Sequence, residues 1–264
     1  MQEPKIQEVA EVEAVPVEEQ NIVFKPNAGP QTEFLAAGER EVLYGGSAGG
    51  GKSYAMLADP LRYMGHPSFS GLLLRHTTEE LRELIFKSKE MYPQIWKGIK
   101  WSERKMQWEA PSGARLWMSY LDRDDDVLRY QGLAFSWIGF DELTQWSTPY
   151  AWNYMRSRLR STAHDLPVYM RATTNPGGPG HQWVKKMFID PAPYGKQFNA
   201  TDIESGRVLT YPKGHNKEGQ ALFKRRFIPA RLSDNPYLAE QGDYEAMLLS
   251  LPEHQRKQLL EGDW

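Results

Sequence analysis

Short, nearly continuous apolar runs recur along the chain at Glu41–Tyr44, Gly71–Arg75, Phe135–Phe140 and Leu166–Thr173. Their length and lack of alternation predict strands buried on both faces, as in a parallel sheet. Between them lie segments with apolar residues at helical spacing. Tyr54–Ala58 is helix-compatible, Leu81, Leu84 and Ile85 lead toward Met91 behind a Thr77 or Thr78 cap, and Tyr150, Trp152, Tyr154 and Met155 follow Thr148-Pro149. A third pattern alternates: Lys105–Ala110 and Arg115–Tyr120 flank Pro111-Ser112-Gly113-Ala114 and predict a β-hairpin. Residues 181–230 read as helix and strands around a loop rich in Pro, Gly and Lys. Beyond them Tyr244, Met247, Leu248 and Leu251, then His254, Leu259 and Leu260, predict two short amphipathic helices forming a lid. Strands alternating with helices define an α/β fold with a mostly parallel central sheet flanked by helices.

Composition changes this picture at one end only. Residues 1–20 carry six glutamates against Lys5 and no aromatic residue, and they read as an acidic, disordered tail, with docking on a partner or on the domain as the alternative. From residue 21 the composition becomes globular, which sets the expected organisation: tail 1–20, core 21–230, helical lid or linker 231–264. The formal net charge of -2 offers no bulk attraction to polyanions, so any nucleic-acid surface must be a local patch. The absence of cysteine excludes disulfides and thiolate metal sites. No apolar stretch reaches the ~20 residues of a membrane span, and the chain reads as intracellular.

Chemistry concentrates at two places. Gly46-Ser47-Ala48-Gly49-Gly50-Gly51-Lys52-Ser53 matches the phosphate-binding loop G-x-x-x-x-G-K-[ST] at every fixed position, between a strand and a helix. In such a loop backbone N–H groups surround phosphate oxygens, Lys52 reaches the β- and γ-phosphates and the Ser53 hydroxyl is available to Mg²⁺. Gly49, Gly50 and Gly51 are expected to lack the Cβ that would hold backbone and ligand apart. The second place is the end of the Phe135–Phe140 strand, which delivers Asp141 and Glu142 where open α/β sheets bind ligands. Asp141 suits the metal shell and Glu142 suits orienting or deprotonating water. Together with the loop, and with the Leu72–Arg75 strand lying between, they specify the hydrolysing, additional-strand catalytic-glutamate branch of P-loop NTPases.

Weaker signals surround these. Gln31 offers an amide to an adenine edge or begins a helix burying Phe34 and Leu35. Arg75 reaches nucleotide or DNA, or pairs with Glu79 or Glu80. Trp101, Arg104, Lys105, Trp108, Arg115 and Trp117 mix bases and aromatics as DNA stacking requires, although alternating tryptophans more often describe one buried strand face. Asp122–Asp126 lacks the glycine and glutamate of a calcium loop. Arg156, Arg158 and Arg160 fall on different helix faces. Thr173, Thr174 and Asn175 end a strand ahead of a glycine-rich hinge.

The order of these motifs resembles the ATPase domain of the large terminase subunit of tailed bacteriophages. The resemblance runs from about Phe24 to Trp264. It rests on Gln31, the Gly46–Ser53 loop, Arg129-Tyr130-Gln131-Gly132, Asp141-Glu142, Thr173–Gly180, Leu232–Leu238 and Leu260–Trp264. It implies an ATP- and Mg²⁺-dependent motor moving double-stranded DNA into a procapsid, working in the host cytoplasm and transiently at the portal vertex. The implied partners are the portal protein, the small terminase subunit and other copies in a ring, with a monomer in isolation as the alternative and no membrane. By resemblance Gln31 is the adenine reader, Lys52 and Ser53 the Walker A pair, Asp141 and Glu142 the Walker B pair, and Thr173–Asn175 the coupling motif. Many relatives carry an arginine finger inside the loop, but here the interior is Ser47-Ala48-Gly49-Gly50. Arg129 acting in trans is the first candidate. Relatives also continue into a nuclease domain, which is expected to be absent here. The competing readings are a small-molecule kinase, disfavoured by Glu142, and a non-hydrolysing assembly module docking on portal or small terminase.

Overall fold

In chain order the strands are β1 (Glu41–Gly46), β2 (Ser70–Arg75), β3 (Lys100–Ser102), β4 (Gln107–Glu109), β5 (Arg115–Tyr120), β6 (Trp137–Phe140), β7 (Tyr169–Thr174), β8 (Gln197–Asn199) and β9 (Lys224–Ala230). They join in one sheet in the order β3-β4-β5-β2-β6-β7-β1-β9-β8. The six strands from β5 to β9 in that order are parallel, and antiparallel strands close both edges. This is a computed structural model that describes residues 22–240 and 242–264, so the acidic segment 1–20 lies outside the described residues.

The continuous apolar runs are strands covered on both faces, as expected. Alternation of side chains sends Leu43, Leu72, Leu74, Ile138 and Phe140 into one core with Trp152 and Phe188, while Leu73 and Trp137 enter the opposite core with Met56, Leu81 and Tyr92. Val42 and Tyr44 pack with Phe34 and Ala55. The helices doing the covering are α1 (Pro30–Ala36), α2 (Lys52–Ala58) and α3 (Thr78–Ile95) on one side, and α4 (Tyr150–Arg156) and α5 (His181–Val184) on the other. Thr77 is the α3 cap, in a reciprocal box with Glu80.

Three expectations change. The strand that lies between β1 and β6 in space is β7; β2, which lies between them in sequence, is on the far side of β6. The hairpin forms, but its tryptophans are core residues on opposite faces of the sheet. Trp108 is buried, donates to Ser88 Oγ at 3.0 Å and packs on Tyr92 and Trp101, whereas Trp117 packs on Phe135. The C-terminal region holds three short helices in place of two: α6 (Pro236–Ala239), α7 (Asp243–Leu249) and α8 (Glu253–Arg256), the last continuing as a wider turn over Lys257–Glu261.

Candidate active site

The loop between β1 and α2 folds back over the strand ends and is held by its carbonyl groups. Lys52 Nζ donates to Ser47 O at 2.6 Å, Asn235 Nδ2 to Gly49 O at 2.6 Å, Tyr44 Oη to Gly50 O at 2.7 Å and Gln31 Nε2 to Gly51 O at 2.8 Å. Gly49 and Gly51 have φ of 79° and 75°, the left-handed region that disfavours side chains. A need for glycine arises already on the protein side. A Cβ on Gly49 would stand 2.7 Å from Leu232 Cδ1, and one on Gly51 would stand 2.7 Å from Gln31 Nε2.

Beside the loop opens a cleft of about 380 Å³, lined by Gly49–Tyr54, Arg75, Glu142, Asn175, Asn235 and Tyr244 among others. Asp141 and Glu142 leave β6 at its edge. Asp141 is fully buried; it accepts a short hydrogen bond from the Thr173 hydroxyl and lies 2.8 Å from Arg75 Nε. Its Oδ2 has no hydrogen bond of acceptable geometry. Arg75 therefore pairs with the adjacent strand's carboxylate and not with Glu79 or Glu80. Burial opposes its charge, but Asp141, Glu142, Glu80 and Glu83 together hold its pKa above the ordinary value.

Glu142 adopts φ 60° and ψ 56°, a left-handed conformation that costs a non-glycine residue about 1–2 kcal/mol. The twist places its carboxylate in the cleft, where Oε2 accepts the Asn175 N–H at 3.3 Å. Burial and the neighbouring Asp141 charge push its pKa up, against the pull of Lys52, Arg75 and the Asn175 amide. Lys52 is held below its ordinary value by burial, opposed by Glu142 and Asp141. Ser53 lines the same cleft.

The end of β7 touches both carboxylates. Thr173 binds Asp141, Asn175 binds Glu142, and the Thr174 hydroxyl meets Thr144 Oγ1 at 2.7 Å, just past Glu142. From there Gly177 N–H donates to His181 Nδ1 at 2.9 Å, and the His181 ring stacks on Trp264. The C-terminal segment returns to the loop, where Ala48 N–H donates to Leu259 O at 2.6 Å.

The residues expected from sequence thus converge, with two exceptions. Gln31 is buried with both halves of its amide engaged, its oxygen by Asn27 N–H at 2.6 Å and its nitrogen by Gly51 O, and it does not line the cleft. Arg129 lies outside the cleft. It is half exposed, donates to Tyr120 O at 2.8 Å and pairs with Asp126 at 3.4 Å. Tyr44 and Thr144 carried no local motif that would have marked them, while Asn235 lies in the Leu232–Leu238 group without that group assigning it to the loop.

A parallel sheet with a phosphate loop after one strand, an Asp-Glu pair after another and a third strand inserted between them defines a P-loop protein of the additional-strand type. A family model described as phage terminase large subunit matches residues 39–219, and the chain belongs to that family. In fold it is similar to the large terminase of a thermophilic bacteriophage in complex with ADP, with TM-score 0.62 and 17% identity over 90% of this chain and 54% of that one. It is also similar to the Thermus phage P74-26 large terminase ATPase domain, with TM-score 0.56 and 13% identity over 91% of this chain and 94% of that one. The chain therefore spans about half the length of the ADP-bound terminase. Comparison with curated proteins found no match.

Proposed function

We propose that this chain is the ATP-hydrolysing motor domain of a viral DNA-packaging terminase, coupling hydrolysis to movement of double-stranded DNA into a procapsid. The observation that carries this reading is that Lys52, Ser53, Arg75, Glu142 and Asn175 share one cleft, with the Asn175 amide bonded to the Glu142 carboxylate. The N–H collar fits phosphates, and the ADP complex of the similar thermophilic-phage terminase supports a nucleotide there. Mg²⁺ would be held by the Ser53 hydroxyl, which lines the cleft, with the Asp141 carboxylate behind it acting through water, because Asp141 Oδ2 already meets Arg75 Nε at 2.8 Å. When bound, the ion supplies charge neutralisation on the phosphates.

The chain's own residues do the rest. Lys52, now turned onto Ser47 O, swings to the β- and γ-phosphates. Glu142, whose carboxylate lies in the cleft with its pKa raised by burial and by Asp141, accepts the proton of the attacking water. Loss of its hydrogen bond to Asn175 passes the event to the glycine-rich segment that follows. Gln31 reads adenine only by exchanging its bonds to Asn27 and Gly51. Residues 231–264 act as a helical lid on the 21–230 core. Assembly is a ring on the portal protein, joined by small terminase, in the host cytoplasm and at the portal vertex.

Arg129, outside its own cleft and half exposed, is the candidate finger for the neighbouring subunit. ATP turnover per subunit, measured against protein concentration, tests this. Wild type should rise steeply with concentration, and Arg129→Ala should fall by up to ~10³-fold at high concentration while still binding nucleotide. Turnover independent of concentration excludes a finger in trans. Nucleotide binding without turnover at any concentration favours the non-hydrolysing assembly module.

A further inference from the structure

In a trans peptide the carbonyl of one residue and the N–H of the next point in opposite directions. Whatever fixes a loop carbonyl on one side therefore fixes the following N–H on the other. Three consecutive carbonyls, those of Gly49, Gly50 and Gly51, each have a side-chain donor, Asn235 at the edge of the cleft and Tyr44 and Gln31 outside it, and Gly51 O also accepts the Ala55 N–H of α2 at 3.2 Å. By that geometry the N–H groups of Gly51 and Lys52 are turned away from Tyr44 and Gln31, which lie outside the cleft that the loop lines. The donors come from three elements: Tyr44 is in β1, which leads into the loop, Gln31 is in α1, and Asn235, far along the chain, precedes α6.

We infer that Tyr44 and Asn235, together with Gln31, are positioning residues for nucleotide, pinning the loop carbonyls outward so that the N–H collar exists before the phosphate arrives. This rests on the reading of Gly46–Ser53 as a triphosphate site. A glycine-rich loop left to itself samples many peptide orientations, and ordering it would be charged against binding. Tyr44 suits the task because burial, with Asp234 adding to it, holds its pKa above the ordinary value and keeps the hydroxyl a donor throughout the working range. Asn235 differs from the other two because it belongs to the C-terminal segment, whose Leu232 and Leu238 would also meet a Cβ on Gly49. Docking of that segment and the shape of the collar are thus one equilibrium. By linkage, nucleotide must favour the docked segment as much as the docked segment favours nucleotide.

The test is calorimetric titration of the whole chain with ADP in Mg²⁺, together with ATP turnover at saturation. Tyr44→Phe and Asn235→Ala should each weaken ADP roughly three- to tenfold and raise KM for ATP in proportion, leaving kcat within about twofold. Tyr92→Phe is the control, because it removes an equally buried hydroxyl, bonded at 2.8 Å to Leu57 O in α2, from outside the loop. It should lower stability without touching ADP affinity. Amide exchange in residues 232–262 should slow on addition of ADP in wild type, and less so in Asn235→Ala. Wild-type ADP affinity in both Tyr44→Phe and Asn235→Ala, or an equal loss in Tyr92→Phe, overturns the inference. A wild-type chain that binds no ADP overturns instead the nucleotide reading on which it rests.

Discussion

Two clusters of buried charge sit at opposite ends of the same sheet, and they are built to opposite specifications. At the start of β1, Glu41 is fully buried between Arg225, at 2.8 and 2.9 Å, and Arg156, and both carboxylate oxygens accept hydrogen bonds. Burial alone would push its pKa up, but the two guanidinium groups outweigh burial and hold it below the ordinary value. At the far end of the sheet, Asp141 Oδ2 lies 2.8 Å from Arg75 Nε but accepts no aligned hydrogen bond, the Asn175 side-chain oxygen has none, and Glu142 is twisted into a left-handed backbone with its pKa raised. Glu41 is what a sheet does with a charge it must keep. Asp141 and Glu142 are charges kept without that compensation, and under-satisfied polar groups beside a cleft are what the proposed hydrolysis would use, so this end is called the working end.

That contrast breaks most sharply by mutation. Removing one partner of a buried ion pair strands the other, so Glu41→Gln should cost about 3–5 kcal/mol and lower the melting temperature by roughly 10 °C, read by calorimetry. Glu142→Gln should do the opposite and gain about 1 kcal/mol, because it removes a buried charge that function requires and folding does not. The two sites also predict opposite dependences on pH. A carboxyl held below its unfolded value, as Glu41 is, contributes stability above that value that is lost as pH falls through the folded pKa. A carboxyl held above it, as Glu142 is, contributes stability below the ordinary 4.5 that is lost as pH rises through the folded pKa. Chemical denaturation across pH should therefore show the acid-side loss vanish in Glu41→Gln, and the gain of Glu142→Gln grow as pH rises. A gain in stability for Glu41→Gln would undo the comparison.

The working end is far more legible from sequence than the structural end. Gly46–Ser53 is a contiguous motif with a fixed geometry, and Asp141-Glu142 terminates an apolar run, so local pattern alone locates both. What local pattern misses is what strand order decides. Proximity in sequence pairs Arg75 with Glu79 or Glu80, but β2 lies beside β6 and the partner is Asp141. Glu41 reads as the polar start of a strand, because its partners Arg156 and Arg225 are distant in sequence. Alternation describes the hairpin tryptophans as one face, but Trp108 and Trp117 belong to opposite cores. Gln31 is visible as a functional amide, yet its partners, Asn27 N–H and Gly51 O, lie in backbone that carries no side-chain signal. Tyr44 has no signal, and the Leu232–Leu238 group that holds Asn235 does not point to the loop, because their bonds to Gly50 O and Gly49 O are defined by peptide planes, which sequence does not encode one at a time.

The most direct test of the account separates binding from chemistry at one carboxylate. ATP binding and Mg²⁺-dependent phosphate release should be measured on the same preparations of wild type and Glu142→Ala, at a concentration where wild type turns over. The account predicts nucleotide affinity within a few-fold of wild type and turnover lower by at least ~10²-fold, as for loss of a general base. Turnover that survives Glu142→Ala would contradict it.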